Sequence, residues 1–426
     1  MKVALISLGC PKNRVDAEVI LGLLGEAGYC LTQFPEEADI IIINTCSFIS
    51  SARIEAKRSI EKNANGRHKL IVCGCLPQMT REKLFNDYPY IDAIVGSAEF
   101  YKLPEIVSRL LNGEQRIVEI GEPTFIYNSI TPRLLSTPVS YAYLKIAEGC
   151  SNCCSYCRIP DLRGAYRSRE IKDIINEANM LVELGVKELI LIAQDTTNFG
   201  ADKVGTRNAV SLQVLLEKLD KFDNLQWVRL LYTHPAHFTD SLISVMSESK
   251  KLCKYIDIPL QHTHPEMLNR MGRPKWEGTR ELLSKLKSKG FALRTTFLVG
   301  FPGEKEYHFD RLLKDVKEIE FDWVGAFTYS QEEGTCASKL ANQVSEEIKK
   351  ERLERLLESQ LKITKQKNKQ RIGKTLQVLV DTAYTGHTEF QAPDLDGKVV
   401  FKKKVVPGKF LQSKVKRIVQ EYDLEV

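Results

Sequence analysis

Cys150-Ser151-Asn152-Cys153-Cys154-Ser155-Tyr156-Cys157 gathers four thiols into eight residues, directly after the apolar run Tyr141 to Ile146. Taken as Cys150, Cys154 and Cys157, the spacing is C-x3-C-x2-C. Three thiolates on one tight loop can hold three irons of a 4Fe–4S cluster and leave the fourth iron without a protein ligand. Zinc, held through Cys154 and Cys157, is the competing reading, but structural zinc commonly takes two spaced pairs of ligands. The other C-x2-C, Cys150 with Cys153, overlaps the first pair. Cys153 then reads as a spare thiol.

Outward from this loop the pattern is regular. Tyr141 to Ile146 is the first of six strand-like runs, followed by Glu188 to Ala193, Trp227 to Tyr232, Tyr255 to Leu260, Ala292 to Val299 and Trp323 to Tyr329. Helical periodicity fills several gaps, as in Ile171, Ile174, Ile175, Ala178, Leu181 and Val182. Repeats of roughly 28 to 47 residues suit successive βα units. Six units predict an α/β fold with a partial (β/α)6 barrel, whose chemistry belongs on the loops beyond the strand C-termini.

Upstream, Lys2 to Ser7, Asp39 to Asn44, Lys69 to Cys73 and Asp92 to Val95 read as strands, and Arg14 to Gly28 as a helix with Val15, Val19, Leu23 and Leu24 on one face. Four consecutive isoleucines, Ile40 to Ile43, suit a strand buried on both faces, so this is a parallel-sheet α/β domain. Gly121 to Ser140, with Pro123, Pro132 and Pro138, reads as a boundary. Glu346 to Gln370 reads as a charged helix, and Thr375 to Val426 as a small all-β domain. The segments so marked are 1–118, 136–365 and 367–426.

Three early cysteines each follow a strand: Cys10 the first, Cys46 the isoleucine strand, and Cys75 the run ending at Cys73. Singly, each reads as a buried structural cysteine. Loops after adjacent parallel strands gather at one sheet edge, so all three can converge into a second ligand set. Cys73, inside its strand, and Cys30, in a connection, read as structural.

Composition bounds the alternatives. The chain has 426 residues, 43% hydrophobic and 27% charged, enough for several packed cores. No apolar run approaches the roughly 18 residues of a membrane span, and the first residues are too short for a secretory signal. The expectation is a cytoplasmic protein with no membrane partner. Eleven cysteines, an odd number, argue against a disulfide scaffold and for metal ligands. From Lys367 to Val426 there are 12 Lys and Arg against 7 Asp and Glu, nearly the whole net charge of +6. A basic end suggests RNA or a ribosome as partner, against a solvated lysine-rich face; Lys402-Lys403-Lys404 is read the same two ways.

With these motifs in place, the cysteine loop after a first barrel strand resembles the radical S-adenosylmethionine superfamily. The resemblance implies that the open iron chelates S-adenosylmethionine, and that an electron from the cluster cleaves it to a 5′-deoxyadenosyl radical. It further implies cofactor contacts at Gln194 and Asp195, which end the second strand, and at Gly300, Gly303 and Glu304 of the turn Gly300-Phe301-Pro302-Gly303-Glu304. Over its full length the chain resembles the methylthiotransferases, which join a three-cysteine domain with an auxiliary 4Fe–4S cluster, a radical barrel and a TRAM β-barrel. That resemblance implies two 4Fe–4S clusters with S-adenosylmethionine, metal ligands Cys10, Cys46 and Cys75 beside Cys150, Cys154 and Cys157, and an external electron donor.

Within that family, Ser7-Leu8-Gly9-Cys10-Pro11-Lys12-Asn13, Ile192-Ala193-Gln194-Asp195-Thr196-Thr197, Pro259-Leu260-Gln261-His262 and Tyr329-Ser330-Gln331-Glu332-Glu333-Gly334-Thr335 look like the RimO type. That type modifies an aspartate β-carbon in the twelfth protein of the small ribosomal subunit. The tRNA adenosine branch usually shows Gln-Met-Asn after the first cysteine and Gln-Asn-Val after the second barrel strand. Cys153 and Arg158 fall where the family varies. A non-enzymatic iron–sulfur ribosome-assembly factor is the rival class. His234, His237, His262 and His264 are left as structural or pocket residues, because radical hydrogen abstraction needs no general base. No catalytic side chain is assigned.

Overall fold

The computed structural model of the chain describes residues 1–47, 49–64, 66–204 and 211–426. They form two compact units. One comprises Met1–Ser136, Lys145–Asn152 and Cys157–Glu177; the other comprises Thr137–Leu144, Cys153–Tyr156 and Ala178–Val426.

The first unit is built on six parallel strands: β1 (Lys2–Ser7), β2 (Cys30–Thr32), β3 (Ile40–Thr45), β4 (Lys69–Gly74), β5 (Ala93–Val95) and β6 (Ile117–Glu119), in the order β2-β1-β3-β4-β5-β6. The isoleucines of β3 lie at the centre of the sheet, and Ile40, Ile42 and Ile43 are fully buried. On one face Ile41 and Ile43 pack with Ala56, Ile60, Leu70 and Val72. Each such side chain contributes about 1.5–3 kcal/mol relative to an exposed one. The helix after β1 runs Pro11–Glu26, beginning earlier than periodicity alone predicts, because Pro11 stands in its first turn where a missing N–H costs nothing. Strands β2 and β6 are three residues each and partly exposed, without the apolar run that marks the equally short, buried β5.

The boundary segment has no regular element between β6 and Ser140, yet it is pinned. Arg133 binds the fully buried Glu18 carboxylate at 2.7 Å and Glu177 at 2.6 Å, and Ser136 N donates to Glu18 at 2.8 Å. A two-strand ladder, β8 (Ala147–Glu148) with β9 (Arg167–Ser168), completes this unit. These ties explain why the compact units do not follow the three sequence segments.

The second unit holds β7 (Tyr141–Lys145) as far as Leu144, with β10 (Glu188–Ile192), β11 (Trp227–Leu230), β12 (Leu252–Asp257), β13 (Ala292–Val299) and β14 (Trp323–Thr328), in chain order across one sheet. From β10 to β14 the strands run parallel. This is the partial six-stranded barrel that the spacing predicts. Its fourth strand ends at Asp257 rather than Leu260, since Pro259 has no N–H to offer a ladder.

The C-terminal strands β15 (Thr375–Val380), β16 (Thr385–His387), β17 (Val399–Val400), β18 (Phe410–Lys414), β19 (Arg417–Val419) and β20 (Asp423–Glu425) make the expected small β domain around Val378, Val380, Val399 and Leu424. It caps the N-terminal edge of the barrel strands. Trp323, the first residue of β14, donates to Phe390 O at 2.7 Å, and Asp396 accepts from Tyr255 at 2.7 Å and Arg294 at 3.2 Å.

Candidate metal centres

Cys10, Cys46 and Cys75 come together at one edge of the first sheet. Cys10 caps the helix after β1, Cys46 follows β3, and Cys75 opens the helix after β4; these three strands are neighbours. Gly9 has φ +96°, and a Cβ built there would stand 2.5 Å from Cys46 Cβ. Gly74, also at φ +96°, would meet Asn44 Oδ1 and Thr45 O at 2.6 Å. Both loops therefore need glycine to close on each other.

Polar side chains lock the edge. Asn13 Nδ2 donates to Leu8 O and Thr45 O, each at 3.0 Å, which ties the Cys10 loop to the Cys46 loop. Thr45 Oγ1 donates to Cys73 O at 2.7 Å and accepts from Leu76 N at 3.2 Å, which ties the Cys46 loop to the Cys75 loop. Burial pushes the Cys75 thiol up, and the Arg163 guanidinium offsets this only in part. Cys73 is fully buried inside β4, and burial pushes its thiol far above the ordinary range. Cys30 is exposed at the start of the edge strand, and Cys253 is buried in β12.

The second set lies on the loop between β8 and the short helix Ile159–Arg163. Cys150, Cys154 and Cys157 are half-buried, whereas Cys153 is exposed. Backbone N–H groups turn toward two sulfurs, Asn152 N to Cys150 Sγ at 3.5 Å and Ile159 N to Cys157 Sγ at 3.4 Å. Within the second unit, Ser155 N donates to Met271 O at 3.1 Å and Ser155 Oγ to Arg270 O at 2.8 Å. Arg273 Nη1 reaches Cys154 Sγ at 3.7 Å. Soft thiolates supplied in threes, with N–H and guanidinium donors on the sulfurs, are the donor chemistry of iron–sulfur clusters, so the residues present fit that group.

The expected cofactor contacts follow β10 and β13 within the second unit. Gln194 and Asp195 follow β10, but the Asp195 carboxylate is engaged: it accepts from Thr197 Oγ1 at 2.8 Å and Asn198 N at 3.2 Å, and meets His237 Nδ1 at 2.8 Å. Gly300 (φ +73°) and Gly303 (φ +82°) form the turn beyond β13, where added Cβ atoms would strike Lys349 and Arg270. Glu304 is buried, accepting from Gly300 N at 3.0 Å and Arg352 Nη1 at 2.8 Å. Both carboxylates shape loops through protein donors.

Among the described residues, His264, Glu266 and His308 also approach ion-binding spacing. Each histidine Nδ1 accepts a backbone N–H, from Glu266 at 3.2 Å and from Lys305 at 2.9 Å. A neutral ring so used carries its proton on Nε2 and has no lone pair left for a metal. They are helix caps.

Sequence reading missed Arg163, Lys145, Asp16 and Glu148. All four are buried, and they form a ring: Arg163 to Asp16 at 2.6 Å, Lys145 to Asp16, Lys145 to Glu148 at 2.6 Å and Arg163 to Glu148 at 3.6 Å. Lone charges 129 to 147 residues apart leave no local pattern. Their nearness to the cysteine motifs was the available signal.

Known proteins resemble this chain along its whole length. Residues 2–96 match Uncharacterized protein family UPF0004, residues 144–316 the Radical SAM superfamily, and residues 372–426 the TRAM domain. The ribosomal protein uS12 methylthiotransferase RimO of Desulforamulus reducens is 45% identical over 99% of this chain and 98% of its own. That of Heliobacterium modesticaldum is 46% identical over 94% and 89%, and that of Pelotomaculum thermopropionicum 45% over 100% and 98%. Among solved structures, the radical S-adenosylmethionine methyltransferase TsrM of Kitasatospora setae covers 76% of this chain and 72% of its own, with a TM-score of 0.56 at 15% identity, a likeness of fold.

Proposed function

The chain belongs to the RimO family of ribosomal protein uS12 methylthiotransferases, and from that premise we propose how its own residues carry the reaction. It is a radical S-adenosylmethionine enzyme that transfers a methylthio group to a small-subunit ribosomal protein, working with two 4Fe–4S clusters and S-adenosylmethionine. The acceptor is an aspartate β-carbon. That C–H bond is neither acidic nor activated, so acid–base chemistry offers no easy route from hydrogen to sulfur. When bound, the cofactors supply a one-electron route across that bond and a sulfur to place there.

Cys150, Cys154 and Cys157 hold the radical cluster, with Arg273 donating to the Cys154 sulfur. Cys10, Cys46 and Cys75 hold the auxiliary cluster. Gln194 and the backbone of Gly300 and Gly303 receive S-adenosylmethionine, while Asp195 and Glu304 hold those loops in shape. The observation that carries this division is the meeting of three cysteines at the edge of β1, β3 and β4 in a chain whose other cysteine loop is already complete.

The segments 1–118, 136–365 and 367–426 serve as auxiliary-cluster, radical and TRAM domains. The basic TRAM segment, with Lys402, Lys403 and Lys404 exposed, meets ribosomal RNA, and an external reductant supplies electrons. The setting is cytoplasmic; among the described residues no helix is long and apolar enough to cross a membrane.

Mass spectrometry of small-subunit proteins and tRNA nucleosides from a deletion strain tests the reading. The methylthio group should vanish from the uS12 protein alone. Its loss from tRNA adenosine instead would establish the other branch. Failure of the reduced enzyme to form 5′-deoxyadenosine would favour a non-enzymatic assembly factor.

A further inference from the structure

Tyr384 stands in the turn that joins β15 to β16, with 53% of its surface exposed. Small polar residues are the usual occupants of such turns. This one is held firmly: Thr382 Oγ1 accepts from Tyr384 N at 3.2 Å and from Thr385 N at 3.1 Å, and Thr382 N donates to Thr385 O at 3.0 Å. Two of its carbonyls clamp a second segment. Phe401 N donates to Tyr384 O and Val405 N to Ala383 O, each at 2.9 Å. Between those two bonds lie Lys402, Lys403 and Lys404, all exposed. A loop of three lysines is thus closed at both ends on the backbone of one exposed tyrosine.

A lone exposed aromatic is ordinary on a protein surface, and a lysine run is commonly a solvated edge. Here the two are fixed together and left largely without partners. Among the described residues the Tyr384 ring makes no aromatic or cation contact, and its hydroxyl has no hydrogen bond. Lys402 meets Glu425 at 3.2 Å, but no carboxylate among the described residues pairs with Lys403 or Lys404. Like charges held on one short loop without compensation suit an external polyanion.

We propose that this corner of the TRAM domain takes single-stranded RNA: an unpaired base stacks on Tyr384, and Lys403 and Lys404 meet its flanking phosphates. A base inside a duplex offers no open face, whereas an unpaired base does, and stacking tolerates any base because each has a π-face. Lysine serves phosphate as a point charge and carries no sequence information. The inference deepens the ribosomal RNA contact proposed above and rests on it.

Fluorescence anisotropy of the full-length protein tests it, with a short labelled RNA of unstructured sequence, used free and paired with its complement. Tyr384→Leu keeps apolar bulk without a ring. It should weaken the single strand at least about fivefold, the lower bound for one stacked base, and leave the duplex unchanged. Tyr384→Trp should hold the single strand as the wild type does. Lys403→Gln with Lys404→Gln should weaken both forms and flatten the salt dependence, by about 1.4 in logarithmic slope for the single strand. Single-strand affinity left intact by Tyr384→Leu, or a loss shared equally by the duplex, overturns the stacking. Should Tyr384→Leu melt early, Tyr384→Trp decides: a retained preference for the single strand supports the ring, and a lost one refutes it. If the double lysine variant binds both forms as the wild type does, the RNA contact itself fails. Oligoglutamate bound in place of RNA, equally by the wild type and Tyr384→Leu, would make the corner a site for acidic protein and overturn both.

Discussion

Arg229 Nε holds Glu188 Oε1 at 2.6 Å, and both side chains are completely buried. The same guanidinium reaches Glu389 O at 2.7 Å and Thr388 O at 3.2 Å, so one side chain joins two barrel strands to the β domain. Replacing Arg229 with Met removes the cation while Glu188 stays buried. The expected loss is on the order of 3 kcal/mol, at the lower end for a broken buried pair because His387 still faces Glu188. Urea unfolding followed by tryptophan fluorescence reads it directly, since Trp227 packs edge-on to Phe410 at 4.8 Å. A change under 1 kcal/mol would mean that the interface is held elsewhere.

His387 makes that interface sensitive to alkali. Burial alone would lower its pKa, but Glu188 and Asp381 on either side push it up to about 9. A group raised above its unfolded value of 6.5 stabilises fully below 6.5 and loses that contribution as pH rises through about 9. Glu188 has the opposite sign: burial is outweighed by Arg229 and His387, which lower it to about 2, so its contribution fades only as pH falls from 4.5 through about 2. Both shifts describe one contact and are not added. The alkaline loss should be on the order of 3 kcal/mol. Melting temperature should decline between pH 6.5 and 10, and His387→Gln should flatten the decline. An unchanged slope in that variant would assign the pH dependence to other groups.

What sequence could and could not supply follows from range. Cys10, Cys46 and Cys75 were legible because each follows a strand, and parallel strands deliver their loops to one edge. The barrel strands were legible for the same reason; Ala292–Val299 is matched residue for residue. Strands Cys30–Thr32 and Ile117–Glu119 were not, since both are short and partly exposed and carry no apolar run, whereas the equally short Ala93–Val95 is buried throughout. Nor was the partner of Asp195 or Glu304 legible: a conspicuous carboxylate in a motif resembles a ligand contact until His237 and Arg352 are seen beside it. Arg163 had no local signature, because its buried partners Asp16 and Asn13 lie far up the chain.

Gly9 and Gly74 test convergence without touching a cysteine. Alanine at either position would adopt a left-handed conformation and drive its Cβ to 2.5 Å from Cys46 Cβ or 2.6 Å from Thr45 O. Strain alone costs about 1–3 kcal/mol, and the contact adds to it. Gly28 has φ +85° with nothing within 4 Å, so Gly28→Ala carries the strain without the collision. Reconstituted Gly9→Ala should fall from about eight irons toward four, while Gly28→Ala keeps its full complement. Equal iron in both would show that the two loops can part without cost to the cluster.

The ligand sets themselves predict a division of labour. The loop from Cys150 to Cys157 carries its three thiols within one stretch and should assemble without the early cysteines. Replacing Cys10, Cys46 and Cys75 together with Ala should therefore leave about four irons and largely preserve cleavage of S-adenosylmethionine, while abolishing methylthio transfer. Replacing Cys150, Cys154 and Cys157 should also leave about four irons but stop cleavage altogether. Cys73→Ala and Cys30→Ala should do neither. Cys73 is fully buried in β4, so its loss costs on the order of 1 kcal/mol in packing, and exposed Cys30 costs less. The assay pairs 5′-deoxyadenosine with the methylthio mass gain on a substrate peptide in the same reaction. Methylthio transfer by the early-cysteine variant would make Cys10, Cys46 and Cys75 structural, and the close approach of Gly9 to Cys46 would then be packing alone.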